Sequence, residues 1–365
     1  MKEQRFIIAG GGTGGHIFPA IAIANAIKNI SPEAEILFVG AKGKMEMEKV
    51  PQAGYKIEGI TIAGFNRSSL IKNIQLPFKL IYSFLQVSQI FKRYRPTAVI
   101  GVGGYSSFPV LRFAQTKAIP TFIHESNSFA GRSNILLAKK ATKIFTASDG
   151  MEKFFPSKKI IVTGNPVRQV ITEQTVTREQ GLTFFGLAPE RKTVLSMGGS
   201  LGAKSINEAI DKDIDLFEKN NLQLIWQTGK PYHEQGMIRT KGKSNMYVND
   251  FISQMEYAYA SADIVISRSG AMAISELCLV KKPVVFVPYP FAAEDHQTAN
   301  AQNLVNKHAA LMVKDTEALN KLIPLVMVLL ANEQLQNELI KNISKLGVKN
   351  ADIKIAEGII SSLKN

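Results

Sequence analysis

The chain has 365 residues, 45% of them hydrophobic and 20% charged, which suits two folded domains and excludes an intrinsically disordered protein. The single cysteine, Cys278, excludes an internal disulfide framework and a cysteine cluster around zinc, which favours a cytoplasmic protein. The formal net charge of +14 suits anionic partners such as phosphorylated substrates, anionic lipids or nucleic acid.

The first predicted strand, Phe6 to Ala9, is too short for a signal peptide, and no apolar run reaches the ~18 residues that span a bilayer. We therefore expect a protein that is neither exported nor threaded through a membrane. Basic residues dominate its first half, where no acid occurs between Glu58 and Glu125.

Short β-rich runs alternate with helical stretches along the chain, which predicts an α/β protein with parallel sheets. The first series comprises residues 6–9, 36–39, 98–102, 121–124, 143–147 and 160–163. The second series comprises residues 193–197, 222–227, 246–249, 264–267 and 283–287. The break at Gly164-Asn165-Pro166 predicts two Rossmann-like domains, 1–165 and 166–349. The last predicted helix, about 350–365, is a candidate to pack back on the first domain.

Each half opens with a strand, a glycine loop and a helix. The first loop is GGGTGG over residues 10–15, followed by His16 and a helix from about Pro19. The second loop is GGSLGA over residues 198–203. Glycine loops let backbone N–H groups approach an anion at the positive end of a helix, so both halves are suited to phosphate.

A dinucleotide-dependent oxidoreductase is an alternative, because Gly10, Gly12 and Gly15 match the G-x-G-x-x-G pattern. Such a site usually has an acid at the end of the second strand, but this strand is followed by AKG at residues 41–43. A third glycine cluster, GVGGY at residues 101–105, follows another strand. Three such loops in two halves favour a cleft for two phosphorylated partners.

A helix is predicted from Pro77 in its first turn to about Tyr94. Its apolar residues spread more widely than the face that one buried side requires, and basic residues surround them. We interpret this segment as a docking patch for an anionic membrane surface, and a fully buried helix is the alternative. The patch residues are Ile71, Leu76, Phe78, Lys79 and Phe84.

Four further motifs follow the glycine loops: HESN at 124–127, GNPVR at 164–168, SRSGA at 267–271 continuing to Ser275-Glu276, and DHQ at 295–297. In this order they resemble the MurG family, which transfers GlcNAc from UDP-GlcNAc to undecaprenyl-diphosphate-MurNAc-pentapeptide. The resemblance implies a GT-B fold, with two Rossmann-like domains facing a cleft. It places the acceptor in the first domain and the UDP-sugar mostly in the second.

The resemblance further implies an inverting glycosyltransferase of peptidoglycan synthesis, acting in cell wall biogenesis, cell shape and cell division. The acceptor would be the C4 hydroxyl of the lipid-linked sugar, so that lipid I becomes lipid II. The protein would be peripheral, on the cytoplasmic face of the cell inner membrane, with other cell-wall synthesis proteins as potential partners and no nucleic acid. UDP-GlcNAc is a substrate, and no cofactor or metal is expected.

Catalysis needs a base for the attacking hydroxyl and groups that stabilise departing UDP. His16 is the candidate base, and a neutral histidine bound to substrate phosphate is the alternative. Arg168 and Ser200 are assigned to the diphosphate, Glu276 to the ribose hydroxyls and Ile252 to the uracil edge through its backbone. A salt bridge at the domain join is the alternative for Arg168, and a surface carboxylate is the alternative for Glu276. The other UDP-GlcNAc-binding candidates are Thr13, Gly14, Gly15, Asn127, Ala271, Met272, Ala273, Ile274, Ser275 and Gln297. For Thr13, Gly14 and Gly15 the acceptor diphosphate is the alternative ligand, because their backbone geometry allows either. The loops assigned to the acceptor diphosphate comprise Gly12, Gly103, Gly104 and Tyr105.

Three positions, Ser126, Leu201 and His296, depart from the common pattern of the family, which bears on fine sugar contacts. His124 and Glu125 are adjacent on a strand end and face opposite ways, so we expect structural roles for them. Asp211, Asp213 and Asp215 alternate in a predicted helix, which favours a solvated face over a metal site.

Two other functions are considered. One is another GT-B enzyme acting on a UDP-sugar, such as a glycolipid glycosyltransferase or a UDP-GlcNAc epimerase, which would consume UDP-GlcNAc without an acceptor. The other is a non-catalytic basic protein that binds anionic lipid or nucleic acid, which leaves the ordered motifs unexplained.

Overall fold

The computed structural model describes residues 4–62, 76–199 and 201–364. Its chain divides into two compact units. Unit 1 comprises residues 1–167 and 349–365, and unit 2 comprises residues 168–348. The chain therefore passes from one unit to the other twice, between Val167 and Arg168 and between Val348 and Lys349.

Unit 1 contains a seven-stranded parallel sheet in the order β3-β2-β1-β4-β5-β6-β7. Its strands are β1 (Arg5–Ala9), β2 (Glu35–Ala41), β3 (Lys56–Ile60), β4 (Ala98–Gly101), β5 (Thr121–Glu125), β6 (Lys143–Thr146) and β7 (Ile160–Val162). The central strands are buried on both faces, which explains their continuous apolar runs. The strand order reverses between β1 and β4.

Helices cover both faces of this sheet: α1 (Gly14–Ile30), α2 (Glu46–Gln52), α3 (Leu76–Tyr94), α4 (Ser107–Thr116), α5 (Arg132–Ala138) and α16 (Ala351–Lys364). One core cluster joins α3, α4 and α5 to the sheet. The other joins α1 to the opposite face and includes Ile355, Ala356 and Ile359 of α16. The C-terminal helix therefore belongs to the core of unit 1.

Unit 2 contains a six-stranded parallel sheet in the order β10-β9-β8-β11-β12-β13. Its strands are β8 (Thr193–Met197), β9 (Gln223–Gln227), β10 (Met246–Asn249), β11 (Ile264–Ser267), β12 (Val284–Phe286) and β13 (Leu311–Met312). This order repeats that of the first six strands of unit 1, and the reversal lies between β8 and β11. Both units are thus Rossmann-type sheets.

The helices of unit 2 are α6 (Gln169–Glu173), α7 (Arg178–Phe184), α8 (Lys204–Lys212), α9 (Asp215–Lys219), α10 (Lys230–Thr240), α11 (Met255–Ser261), α12 (Ala271–Val280), α13 (His296–Val305), α14 (Ala318–Ala331) and α15 (Glu333–Ile343). Within the described ranges, no single helix is long and apolar enough to cross a membrane. The segments Asp315–Ala331 and Glu333–Ile343, bent by 96°, pass that test only as a pair. Leu322, Val326 and Leu339 of this pair lie in the core of unit 2.

The predicted strands appear with small shifts of their ends, but the sequence prediction missed β3 and β13. Strand β3 carries Glu58 and Gly59, and β13 has only two residues, so neither gives a β-rich apolar run. The predicted start of α1 near Pro19 is wrong, because the helix begins at Gly14. The low helix propensity of Gly14 and Gly15 conceals this first turn in the sequence.

Candidate active site

The first and third glycine loops lie together in unit 1, at the carboxyl ends of β1 and β4. The Gly11 N–H donates to the Gly103 carbonyl at 3.3 Å. Gly104 has a φ of +84°, and a Cβ at this position would collide with the Gly11 carbonyl. Parallel sheets of this topology bind ligands where the strand order reverses. The structure therefore joins these two loops at the expected edge of the sheet, with Tyr105 exposed beside them.

His16 lies in the first turn of α1, next to both loops. Its Nδ1 is 3.2 Å from the Gly11 carbonyl and 3.4 Å from Thr13 Oγ1. A carbonyl accepts but does not donate, so this contact assigns the ring proton to Nδ1 and the lone pair to Nε2. A Cβ on Gly103 would lie only 2.8 Å from Nε2. The basic nitrogen of His16 thus faces the third glycine loop.

Glu46 is a buried carboxylate under the first glycine loop that the sequence analysis missed. It is 1% exposed, and its Oε2 accepts the Gly12 N–H at 2.8 Å while Oε1 accepts the Ala41 N–H at 3.0 Å. A Cβ on Gly11 or Gly40 would collide with this side chain. An acid therefore does follow the second strand, but its two oxygens accept backbone N–H groups of this chain.

The Gly12 N–H is consequently engaged by Glu46. The N–H groups of Gly14 and Gly15 lie in the first turn of α1, where a helix has no internal acceptor for them. Thr13 precedes them as the N-cap in an extended conformation, with no side-chain capping bond. An anion approaching this end of α1 would meet Thr13, Gly14 and Gly15 before Gly12.

His124 and Glu125 end β5, and both are buried. Burial lowers the pKa of His124 to about 4, the Gly164 backbone opposes this shift, and the charge of His16 adds to it. His124 is therefore neutral near pH 7. Glu125 accepts from the Asn127 N–H at 3.1 Å, the Gly131 N–H at 3.0 Å and Asn134 Nδ2 at 2.8 Å. It anchors the loop that carries Asn127, a structural role like that expected from the sequence.

In unit 2 the second glycine loop lies between β8 and α8. Ser200, assigned to the diphosphate, lies outside the described residues. Gly202 has a φ of +74°, and a Cβ there would collide with the Thr228 carbonyl. Gln227, at the end of β9, donates from Nε2 to the Gly199 carbonyl at 3.0 Å and accepts the Ile252 N–H on Oε1 at 3.0 Å. Gln227, which the sequence analysis missed, therefore fixes this loop relative to Ile252.

The bond from Ile252 to Gln227 bears on the assignment of Ile252 to the uracil edge. The Ile252 N–H already has an acceptor, and Ile252 is only 3% exposed. The carbonyl of Ile252 is the remaining backbone group for a base. A carbonyl accepts, so it suits a ring N–H donor.

Arg168 and Glu276 form an ion pair in unit 2. Arg168 donates to Glu276 Oε1 from Nε at 3.2 Å and from Nη2 at 3.1 Å. The buried Tyr259 hydroxyl donates to the other oxygen, Oε2, at 2.9 Å. The sequence assigned Arg168 and Glu276 to different parts of the nucleotide, and the structure brings their charged groups together.

Glu276 belongs to α12, whose first turn follows β11 where the strand order of unit 2 reverses. The N-cap is Gly270, and Ser275 Oγ donates to the Ala271 carbonyl at 3.0 Å. Gln297 lies at the start of α13 and accepts the Tyr289 N–H at 3.0 Å. The half-buried residues of this end of α12 are Ala271, Met272, Ala273, Ile274 and Ser275.

Arg268 is a further residue of this region to which the sequence analysis assigned no role. Its Nη1 donates to the Val287 carbonyl at 2.9 Å and the Pro288 carbonyl at 3.1 Å, and Nη2 donates to Ser205 Oγ at 3.2 Å. It also forms an ion pair with Asp315. Arg268 therefore joins the start of α8 to the segment after β12.

The three alternating aspartates of the second half do not share one solvated face. Asp211 accepts from Tyr232 Oη at 2.7 Å and pairs with Arg239, so the prediction of a solvated position is wrong for it. The helix breaks near Asp213, and Asp215 pairs with Lys243 at 2.9 Å. Over the ranges that the structure covers, no group of three or more His, Cys, Asp or Glu is arranged to hold a metal ion.

Helix α3 presents an apolar face to solvent, so the alternative of a fully buried helix is wrong. Phe78, Ile81 and Leu85 are 73%, 62% and 58% exposed. Leu76, Lys79 and Phe84 are half-buried, whereas Ile71 lies outside the described residues. The opposite side buries Ser83, Val87, Ile90 and Phe91.

Residues 6–146 match the glycosyltransferase family 28 N-terminal domain, and residues 193–355 match the family 28 C-terminal domain. A protein of Bacteroides fragilis is 52% identical over 360 residues, covering 98% of this chain and 95% of its own length. Its name is UDP-N-acetylglucosamine–N-acetylmuramyl-(pentapeptide) pyrophosphoryl-undecaprenol N-acetylglucosamine transferase.

Solved structures with a similar fold include glycosyltransferases. The crystal structure of Acinetobacter baumannii MurG has a TM-score of 0.79 at 26% identity, covering 98% of this chain and 99% of the other. A UDP-GlcNAc 2-epimerase from Neisseria meningitidis, bound to UDP-GlcNAc, has a TM-score of 0.64 at 13% identity, covering 99% of this chain and 100% of the other. The second likeness shows the fold alone, which is GT-B. By its sequence and its fold, the chain belongs to the MurG family of family 28 glycosyltransferases.

Proposed function

We propose that this protein transfers GlcNAc from UDP-GlcNAc to undecaprenyl-diphosphate-MurNAc-pentapeptide in peptidoglycan synthesis. The observation that carries the proposal is the 52% identity, over nearly the full length of both chains, to a protein named for this reaction. The glycine loops, the buried carboxylate of Glu276 and the histidine at the start of α1 are the chemical groups that such a transfer requires.

In unit 1, His16 is the base that we propose for the C4 hydroxyl of the acceptor sugar. Its Nε2 lone pair takes the hydroxyl proton while the C4 oxygen bonds to the anomeric carbon of GlcNAc. The bond from that carbon to the UDP oxygen breaks on the opposite side, so the configuration inverts. The loops of Gly103, Gly104 and Tyr105, with the first turn of α1, would hold the acceptor diphosphate through backbone N–H groups.

In unit 2, Glu276 would accept hydrogen bonds from the ribose hydroxyls, and Arg168 would stabilise the diphosphate as UDP departs. The Ile252 carbonyl would accept the N3–H of uracil, which favours uracil over cytosine because cytosine has no hydrogen on N3. Ser200 is proposed as a further donor to the diphosphate. Asn127 and Gln297 would contact the neutral groups of GlcNAc.

Transfer without a divalent metal is also part of the proposal, with Arg168 and the positive helix ends carrying the charge stabilisation. We expect radiolabel from UDP-GlcNAc to reach the lipid fraction in the presence of chelator, and only when a MurNAc-diphosphate-lipid acceptor is added. A requirement for added metal would contradict the mechanism. Consumption of UDP-GlcNAc without acceptor would instead identify an epimerase.

We further propose that the protein acts at the cytoplasmic face of the membrane, docked through α3. A lipid-linked acceptor leaves the bilayer at a cost of ~0.8 kcal/mol for each exposed methylene, so the enzyme has to approach the surface. Exposed Phe78, Ile81 and Leu85 would enter the headgroup region. Lys79 and Lys92 of the same helix would supply positive charge for anionic lipids, whereas Arg93 is already paired with Glu58. Other cell-wall synthesis proteins would be encountered at the same surface.

Changing Phe78, Ile81 and Leu85 together to Ser is expected to weaken binding to anionic vesicles about tenfold or more, because this apolar area no longer enters the bilayer. Vesicle cosedimentation measures the loss, and turnover of a short-chain soluble acceptor should stay near the wild-type value. The matched control changes Leu136 and Val162 to Ser, two exposed apolar residues of unit 1 outside α3. Equal vesicle binding by the α3 variant and the wild type would reject the docking surface.

A further inference from the structure

Tyr259 is a buried residue of α11 for which the proposed mechanism has no role. It is 1% exposed, and its hydroxyl is 2.9 Å from Glu276 Oε2. Among the described residues, the other hydrogen-bond partner of this hydroxyl is the sulfur of Met197, at 3.5 Å. Sulfur is a weak acceptor, so the hydroxyl proton is directed at the carboxylate.

The protonation state of Tyr259 supports a lasting bond. Burial raises the pKa of Tyr259 well above its ordinary value, and the charge of Glu276 raises it further. The phenol therefore stays protonated over the physiological range and remains a hydrogen-bond donor. The whole residue is buried in unit 2, so the ring is shielded from solvent.

Glu276 has fewer open positions than the ribose would need. A carboxylate has about four lone-pair sites, and Arg168 occupies Oε1 with two N–H groups while Tyr259 occupies one site on Oε2. About one site is left for two ribose hydroxyls. At least one present donor has to leave when a nucleotide binds in the way proposed above.

The two present donors differ in their freedom to leave. The Arg168 side chain is 44% exposed and can turn to another anion, whereas Tyr259 is enclosed. We propose that Tyr259 is a positioning residue for Glu276. It keeps the carboxylate in the orientation that the ribose needs when Arg168 exchanges Oε1 for the diphosphate. This inference rests on the proposed function, since it assumes that Glu276 binds the ribose.

Tyr259→Phe tests the inference, because phenylalanine keeps the ring and removes only the donor. Calorimetry would compare the affinities for UDP and 2′-deoxy-UDP. In the wild type we expect UDP to bind about tenfold more tightly, the usual size of one hydrogen bond to a carboxylate. In the variant this ratio should fall to about threefold or less. KM for UDP-GlcNAc should rise several-fold, with kcat changed less than twofold.

A general loss of structure would weaken both nucleotides equally and leave their ratio unchanged. A ratio in Tyr259→Phe equal to the wild-type ratio would therefore overturn the inference. Met197→Leu is the matched control, since it removes the other neighbour of the hydroxyl and should keep the tenfold ratio. In a Glu276→Ala background, which has no carboxylate for Tyr259 to orient, Tyr259→Phe should lower the ratio no further.

Failure of the proposed function has a different signature from failure of this inference. If the wild type does not bind UDP, or binds UDP and 2′-deoxy-UDP equally, then the role of Glu276 at the ribose is wrong. If the wild type discriminates and Tyr259→Phe discriminates equally well, only the role of Tyr259 is wrong.

Discussion

Replacing His16 by Ala is expected to lower kcat for GlcNAc transfer by about 10²-fold to 10⁴-fold, the usual contribution of a general base. The reason lies in the tautomer that the Gly11 carbonyl selects: with the proton on Nδ1, the lone pair of Nε2 faces the third glycine loop. Steady-state kinetics with a soluble acceptor measure the effect. KM for UDP-GlcNAc should change little, because the nucleotide contacts proposed here lie in unit 2.

The control for His16 is His308→Asn, at an exposed position of unit 2 with a positive φ that asparagine tolerates. It should retain wild-type kcat. If His16→Ala instead keeps kcat within a few-fold and raises KM for the acceptor, then His16 binds phosphate and another group carries the proton. That result would favour the alternative interpretation of this histidine.

Replacing Glu276 by Ala is expected to lower kcat/KM for UDP-GlcNAc by about 10²-fold to 10⁴-fold, because two hydrogen bonds to a charged group are lost at ~1.5–3 kcal/mol each. The substitution also leaves the buried Tyr259 hydroxyl without its acceptor. A modest decrease in melting temperature should accompany the kinetic loss. Initial rates at varied UDP-GlcNAc, together with thermal melting, separate the two effects.

Glu276→Gln is the informative companion to this variant. Glutamine keeps one acceptor oxygen and replaces the other with an NH₂ donor, so it should lie between wild type and Glu276→Ala in kcat/KM. Glu179, at the exposed start of α7, offers a control as Glu179→Ala, which should behave as wild type. Wild-type UDP affinity in Glu276→Ala would contradict the assignment of this carboxylate to the nucleotide.

The sequence predicted the two parallel sheets because their central strands are buried on both faces and therefore read as apolar runs, such as Thr193–Met197. Glycine loops were also predictable, since positive φ values and close backbone contacts at positions such as Gly104 and Gly202 require glycine. These features can be recognised from short stretches of the sequence.

Contacts between distant parts of the chain cannot be recognised from a short stretch of sequence. Arg168 and Glu276 are 108 positions apart, and their pairing depends on how α6 and α12 are placed in unit 2. Glu46 was missed for a similar reason. It lies three residues after the AKG turn, where the sequence looks like the ordinary first turn of a helix that begins with acidic residues. Only the fold shows that its oxygens reach Gly12 and Ala41.

Helix α16 gives the protein an order of assembly during translation. Its residues Ile355, Ala356 and Ile359 are fully buried in unit 1, although they leave the ribosome after all of unit 2. Unit 2 is one continuous stretch of chain, whereas unit 1 waits for a segment that follows all of unit 2. A ribosome that stops early would therefore release a chain whose second half can mature while its first half lacks part of its interior.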